Sequence, residues 1–171
     1  MSATVIRVAG ESDAEAISRI HTRAREVAYA DLVSPKMLAA MQAGVTPQKW
    51  AERMRNSTEG GRMLVAEEGG RIVGFIFVVP GEYGEPGVGD VDALHVDPEH
   101  QGAGIGTQLL RAGLEFLAGQ GFSKYVLWVL DGNERAMRFY RKHGWQHDGQ
   151  RVDDGGVDFL RFVHEQRHEQ K

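Results

Sequence analysis

The run Asp97-Pro98-Glu99-His100-Gln101-Gly102-Ala103-Gly104-Ile105-Gly106-Thr107 constrains this chain more than any other segment. It follows a β-prone stretch, Val88 to Val96, and leads into a segment from about Gly104 to Ala118 in which Leu109, Leu110, Leu114 and Leu117 recur at helical spacing. A strand that enters a helix through glycines leaves the first helical amides unpaired. The helix dipole and the missing side chains then let an anion approach them closely. A phosphorylated ligand is the expectation, against the plainer reading of a tight connection whose glycines serve packing. Two nucleotide patterns fail: the third glycine of G-x-G-x-x-G would fall on Thr107, and Gly-Lys-Ser/Thr occurs nowhere. Glycine is abundant throughout, 22 of 171 residues, or about 13% against a typical ~7%, so tight turns and close backbone approaches recur.

The remaining segments read as one mixed α/β domain, residues 1–171. Thr4 to Val8 is a strand, and Ser12 with Glu15 forms a capping box that starts a helix with Ile17, Ile20, Ala24 and Val27 on its buried face. Ser34-Pro35 opens a second helix through Met41, and a third covers Gln48 to Arg55 with Trp50 and Met54. Together these form a helical lobe, about residues 12–56. Met63 to Glu67 and Arg71 to Val79 flank the hairpin signal Glu68-Gly69-Gly70. Gly81 to Gly89 is a glycine-rich flap. Lys124 to Leu130, Trp145 to Arg151 and Val157 to Val163 are strands, and Asn133 caps a helix that Gly144 stops. The tail after His164 is polar. Trp50, Trp128 and Trp145 read as core or lobe contacts.

Charge and cysteine content narrow the function classes. Twenty Lys+Arg against 24 Asp+Glu gives −4, too mild for a nucleic-acid partner, and no apolar run approaches the ~20 residues of a membrane span. No secretory signal is visible, so a cytoplasmic location is the expectation. Zero cysteines exclude disulfides, thiolate metal sites and a cysteine nucleophile. His143 and His147 are separated by a helix-breaking Gly144, and His164 with His168 has no third ligand, so no metal is expected. Between Ile72 and Leu110 stand six acids, Glu82, Glu85, Asp90, Asp92, Asp97 and Glu99, and no Lys or Arg. If that polarity survives folding, it favours a cationic partner.

A second motif follows about 30 residues after the glycine loop. Asn133-Glu134-Arg135-Ala136-Met137-Arg138-Phe139-Tyr140 places Ala136, Phe139, Tyr140 and His143 on adjoining positions of one helix face, with Phe139 as core and a Tyr140 phenol that needs a partner. The two segments together resemble the GCN5-related N-acetyltransferase (GNAT) family. The pyrophosphate loop of that family, Gln/Arg-x-x-Gly-x-Gly/Ala, is matched by Gln101, Gly104 and Gly106. Its Asn-x-x-Ala-x-x-Phe-Tyr motif is matched by Asn133, Ala136, Phe139 and Tyr140, followed by Gly144-Trp145. The resemblance covers roughly Arg62 to Val163. It implies a mixed, mostly antiparallel sheet of six or seven strands flanked by helices, and an acetyl-CoA-binding core of about residues 62–145.

It further implies acetyl-CoA as donor substrate, lying along the fourth strand at Leu94, His95 and Val96. Pyrophosphate would rest on the loop amides of Gln101, Gly102, Ala103, Gly104, Ile105, Gly106 and Thr107, with Asn133, Ala136, Phe139 and Tyr140 beside it. Arg135, Arg138 and Lys142 are candidates for the outer phosphate. Strand alternation puts Asp90, Asp92, Leu94 and Val96 on one side, unless the bulge seen in the family's equivalent strand shifts the register. Asp90 or Asp92, directly or through water, is then the base that deprotonates the acceptor, and Tyr140 is the acid for the departing thiolate. A backbone N–H near Leu94 to Val96 would meet the oxyanion. The acceptor expected is a small, cationic primary amine. Peptide or protein N-termini or lysines, a CoA-sensing module without turnover, and a homodimer stay open, while nucleic acid and membrane are not expected partners.

Overall fold

The computed structural model describes residues 3–56, 61–81 and 86–166. Seven strands form one sheet: β1 (Thr4–Val8), β2 (Arg62–Glu68), β3 (Arg71–Pro80), β4 (Val88–Val96), β5 (Lys124–Leu130), β6 (Gln146–Asp154) and β7 (Val157–Glu165). Their order is β1-β2-β3-β4-β5-β7-β6, antiparallel throughout except for the parallel β4–β5 pair. Parallel pairing needs a crossover, and α4 (Ile105–Gly119) supplies it. The hairpin between β2 and β3 turns on Gly69 and Gly70, both at positive φ (59° and 78°), which is the twist that two-residue hairpins require.

The sheet carries helices on both faces. On one face α4 and α5 (Glu134–Lys142) enclose a core of Leu64, Ile76, Val78, Leu109, Leu117, Leu127, Tyr140 and Trp145. Helix α4 lies close because Gly113 leaves no side chain between it and Ile76, whose Cδ1 is only 2.7 Å from where a Cβ would stand. On the other face α1 (Ala14–Tyr29) and α3 (Pro47–Arg55) cover Met63, Val65, Phe75, Phe77 and Ala93, with Trp50 buried between them. Helix α2 (Pro35–Gln42) packs Met37, Leu38 and Met41 around Tyr29, Leu130 and Val157. Ser34 and Thr46 cap α2 and α3 through their hydroxyls.

Two details of the helical lobe differ from the sequence reading. The capping box is not Ser12 with Glu15: the chain passes through one 3-10 turn, Glu11–Asp13, where Asp13 accepts from the Gly10 amide at 2.8 Å. Arg7 of β1 decides this, gripping the Asp13 carboxylate at 2.8 and 3.0 Å and holding it well below the usual carboxylate range. Val27, expected in the core, is 59% exposed, because in that part of α1 Ala24 and Tyr29 are the buried positions. The tail is ordered further than expected, with β7 running to Glu165. Among the described residues no helix is long and apolar enough to cross a membrane.

Candidate active site

Strand β4 is bulged at Asp92. Phe77 of β3 faces Ala93 while its neighbour Val78 faces Val91, so Asp92 is the extra residue. A bulge bends its strand and sharpens the local twist, and pairing with β5 ends there: only Val88, Gly89 and Asp90 meet Lys124, Tyr125 and Val126. Beyond these pairs β4 and β5 run apart without ladder bonds. The result is a V-shaped opening in the middle of the sheet, bordered by Leu94, His95 and Val96 on one arm and Leu127 to Leu130 on the other.

The bulge also corrects the expected alternation. Asp90 and Asp92 do not share a side with Leu94 and Val96. Leu94 and Val96 pack with the α4 core. Asp90, only 5% exposed, lines a cavity of about 210 Å³ with Val126, Trp128 and Arg161, and Asp92 reaches Arg53 of α3 at 3.4 Å. Both acids thus belong to the α1/α3 face.

At the end of β4, Asp97 is fully buried and accepts from the Glu99 amide at 3.1 Å, while its own amide donates to Val73 at 2.8 Å. This anchors the glycine loop to β3. Gly102 and Gly104 take φ of +87° and +82°, conformations closed in practice to side chains with a Cβ, and Gly104 ends the loop as the N-cap of α4. Among the described residues the amides of 102 to 107 donate to no backbone or side-chain acceptor. Gly106 is the seat of Phe139, whose ring lies 3.4 Å from the position a Cβ would take, so Phe139 is half-buried against the loop and not in the deep core. The Thr107 hydroxyl is committed elsewhere, to His143 at 3.1 Å, which leaves only its amide for the loop.

Helix α5 begins as expected, with Asn133 Oδ1 accepting from the Ala136 amide at 3.3 Å. Met137 and Tyr140 are its buried positions, and Arg135, Arg138 and Lys142 are exposed. The Tyr140 ring packs edge-on to Phe139 and Trp145 at centroid distances of 5.3 and 5.8 Å. Burial, and secondly the nearby Tyr29, raises the Tyr140 phenol above its ordinary value, so it stays protonated at any physiological pH.

Opposite these elements, on the α1 side, lies a cluster absent from the sequence reading. His21 of α1 meets His95 of β4 and Trp50 of α3 edge-on, at 4.9 and 5.2 Å. Burial first, then the neighbouring cations, pushes His21 down to about 2 and His95 to about 3, so both imidazoles are neutral. The spacing of His21, Arg25 and Tyr29 at i, i+4 and i+8 was the available signal, hidden because a polar helix stripe ordinarily faces solvent. The acidic stretch is correspondingly less bare than its sequence: Arg53 meets Asp92, and Arg23 meets Asp97 and Glu99. Glu82 and Glu85, with the tip of the expected flap, lie outside the described residues, as does His168. No group of three or more metal-ligating side chains occurs among the described residues. A larger cleft, about 390 Å³, lies between α4 and the end of α5, lined by Thr107, Arg111, His143, Trp145 and His164.

A splayed parallel pair beside a glycine loop with free amides defines the acyl-CoA N-acyltransferase class of fold. The chain matches the acetyltransferase (GNAT) family over residues 19–145 and belongs to that family. Over 108 residues it is 36% identical to mycothiol acetyltransferase of Arthrobacter sp. (strain FB24), covering 61% of this chain and 33% of that protein. Over 87 residues it is 38% identical to mycothiol acetyltransferase of Amycolatopsis mediterranei (strain U-32), covering 48% and 29%. The matches thus span about a third of the length of these curated relatives. The PaiA N-acetyltransferase of Thermoplasma acidophilum, solved in complex with coenzyme A, shares the fold with a TM-score of 0.79 at 20% identity, over 95% of this chain and 99% of that one.

Proposed function

We propose that this protein transfers the acetyl group of acetyl-CoA to a primary amine of a small molecule by direct attack on the thioester. The observation that carries the reading is the V-shaped opening between β4 and β5, with the glycine loop at one end of β4 and the protonated Tyr140 phenol beside β5. Residues 62–145 form the donor-binding part in this reading, and the lobe of residues 12–56 covers the acceptor side. The amides from Gln101 to Thr107 take the pyrophosphate, with Asn133 and Ala136 at the neighbouring helix start and Phe139 bracing Gly106. Leu94, His95 and Val96 present the open edge of β4 to the pantetheine arm, and a backbone N–H there polarises the thioester carbonyl.

Asp90, on the acceptor side where the two strands part, receives the acceptor as its ammonium ion and takes a proton from it. Asp92, already paired with Arg53, contributes to the local field. The amine nitrogen bonds to the acetyl carbon, the C–S bond breaks as the tetrahedral intermediate collapses, the Tyr140 O–H protonates the leaving thiolate, and the second nitrogen proton, lost as the amide forms, returns to the Tyr140 phenolate through water. The name that the relatives carry, mycothiol acetyltransferase, supports a small-molecule acceptor. A thermal-shift comparison of acetyl-CoA with ATP and NAD, followed by an amine panel read by release of free CoA thiol, tests the proposal. Stabilisation by acetyl-CoA alone and thiol release with an amine are expected. Tight acetyl-CoA binding with no thiol release across the panel would make the protein a CoA sensor instead.

A further inference from the structure

The α1 stripe His21, Arg25 and Tyr29 crosses the V-shaped opening: His21 lies against His95 on β4, and Tyr29 is buried against Leu130 on β5. Arg25, between them, differs from Arg23 and Arg53 of the lobe, which each meet a carboxylate. Arg25 makes no ion pair among the described residues; its guanidinium lies over the Tyr29 ring at 5.7 Å and hydrogen-bonds the Tyr29 side chain, while its Nε is buried without a hydrogen-bond partner. His21 Nδ1 beside it is also buried and unpartnered. Burying an N–H unpaired is costly, and Asp92, Asp97 and Glu99 are held by other arginines.

We infer that Arg25 is the binding residue for a carboxylate on the acceptor, so that the substrate is an amino acid or a close carboxylate-bearing amine, its ammonium toward Asp90. The inference rests on the acetyltransferase reading for the direction of attack. A guanidinium matches a carboxylate in charge and in planar, bidentate geometry. The two neutral imidazoles add no competing charge, so the site offers one fixed positive charge with further donors beside it. That suits a monoanion and disfavours a polyamine.

The test compares amino acids with their carboxamides and with the corresponding decarboxylated amines, on wild type, Arg25→Gln and Arg25→Lys. Thiol release should favour the acids, and Arg25→Gln should lower kcat/KM for them by roughly 30-fold or more while leaving the weak amides unchanged. Arg25→Lys should recover part of the loss, and acetyl-CoA affinity should stay at wild-type level in both variants. Calorimetric titration of the same panel into CoA-saturated and free protein reads carboxylate recognition without turnover. Acid-selective binding that disappears in Arg25→Gln supports the inference even where no thiol is released, an outcome that would remove only the catalytic reading. Equal or better binding of amides and decarboxylated amines, or an equal loss for all acceptors in Arg25→Gln, overturns it.

Discussion

The two faces of the sheet solve opposite problems. On the α4/α5 face the side chains are closely packed, with Trp145 Nε1 buried and unpaired, and what is most exposed is backbone: a row of amides around Gly102 to Thr107 without acceptors. On the α1/α3 face the backbone is capped and paired, and what is left over is side chains: His21 Nδ1, Arg25 Nε and Trp50 Nε1 are buried without partners. Unsatisfied polar groups are rare in folded proteins and cost stability, so each set marks where a ligand completes the structure. Backbone amides read any diphosphate alike, whereas side chains discriminate. In the proposed reading the first face takes a donor common to a family and the second an acceptor particular to one member.

The comparison breaks most visibly at Tyr140, the residue placed where the two faces meet. Tyr140→Phe keeps the ring packing against Phe139 and Trp145 and deletes the acid, so kcat is expected to fall by ~10²–10⁴-fold with acetyl-CoA affinity nearly unchanged. Single-turnover kinetics check this, and a wild-type chemical step would leave Tyr140 a packing residue. Asp90→Asn comes next: if Asp90 is the base, kcat/KM should fall by roughly 10²-fold, whereas Asp92→Asn should cost less because Arg53 already holds that carboxylate.

On the donor face, Gly104→Val should weaken acetyl-CoA binding by more than tenfold. At φ +82° a valine is strained as well, by about 1–2 kcal/mol. A companion Gly106→Ala, whose Cβ meets the Phe139 ring at 3.4 Å and Val96 Cγ2 at 3.7 Å, separates the effects: calorimetry should show weaker binding with little change in Tm.

A last effect is one of pH and acts on stability, not on turnover. His21 and His95 stay neutral in the fold but charge in the unfolded chain below about 6.5. The unfolded state therefore binds more protons, and stability falls as pH drops from about 6.5 toward 3, by up to about 1.4 kcal/mol per pH unit for each histidine. His21→Leu should flatten that slope in denaturant titrations between pH 6.5 and 4. An unchanged slope would mean that His21 is protonated in the native protein.

Much of this was legible along the chain. The seven strands and five helices follow from local periodicity, from Pro35 and Pro47 at helix starts and from Gly69-Gly70 in a hairpin. The glycine loop and the Asn133 to Tyr140 helix are contiguous motifs, because backbone-mediated binding needs only a local conformation. The errors are of another kind. Glu15 is the better match to a capping box, yet Asp13 closes the turn because Arg7 arrives from a strand already paired with β2. Six acids without a base suggested a cationic mouth, and α1 and α3 bring Arg23 and Arg53 to three of them, Asp97, Glu99 and Asp92.

Sequence by itself determined the family, the element order and the glycine loop, all properties of residues within one or two helical turns of each other. Tertiary structure alone decided which face Asp90 serves, because one inserted residue at Asp92 shifts a period of two and parts β4 from β5. It alone set the charge state of His21 and His95 as well, through burial against Trp50 and Phe75 and the approach of Arg25. Desolvation and pairing depend on what lies across the sheet, and no local pattern carries that distance.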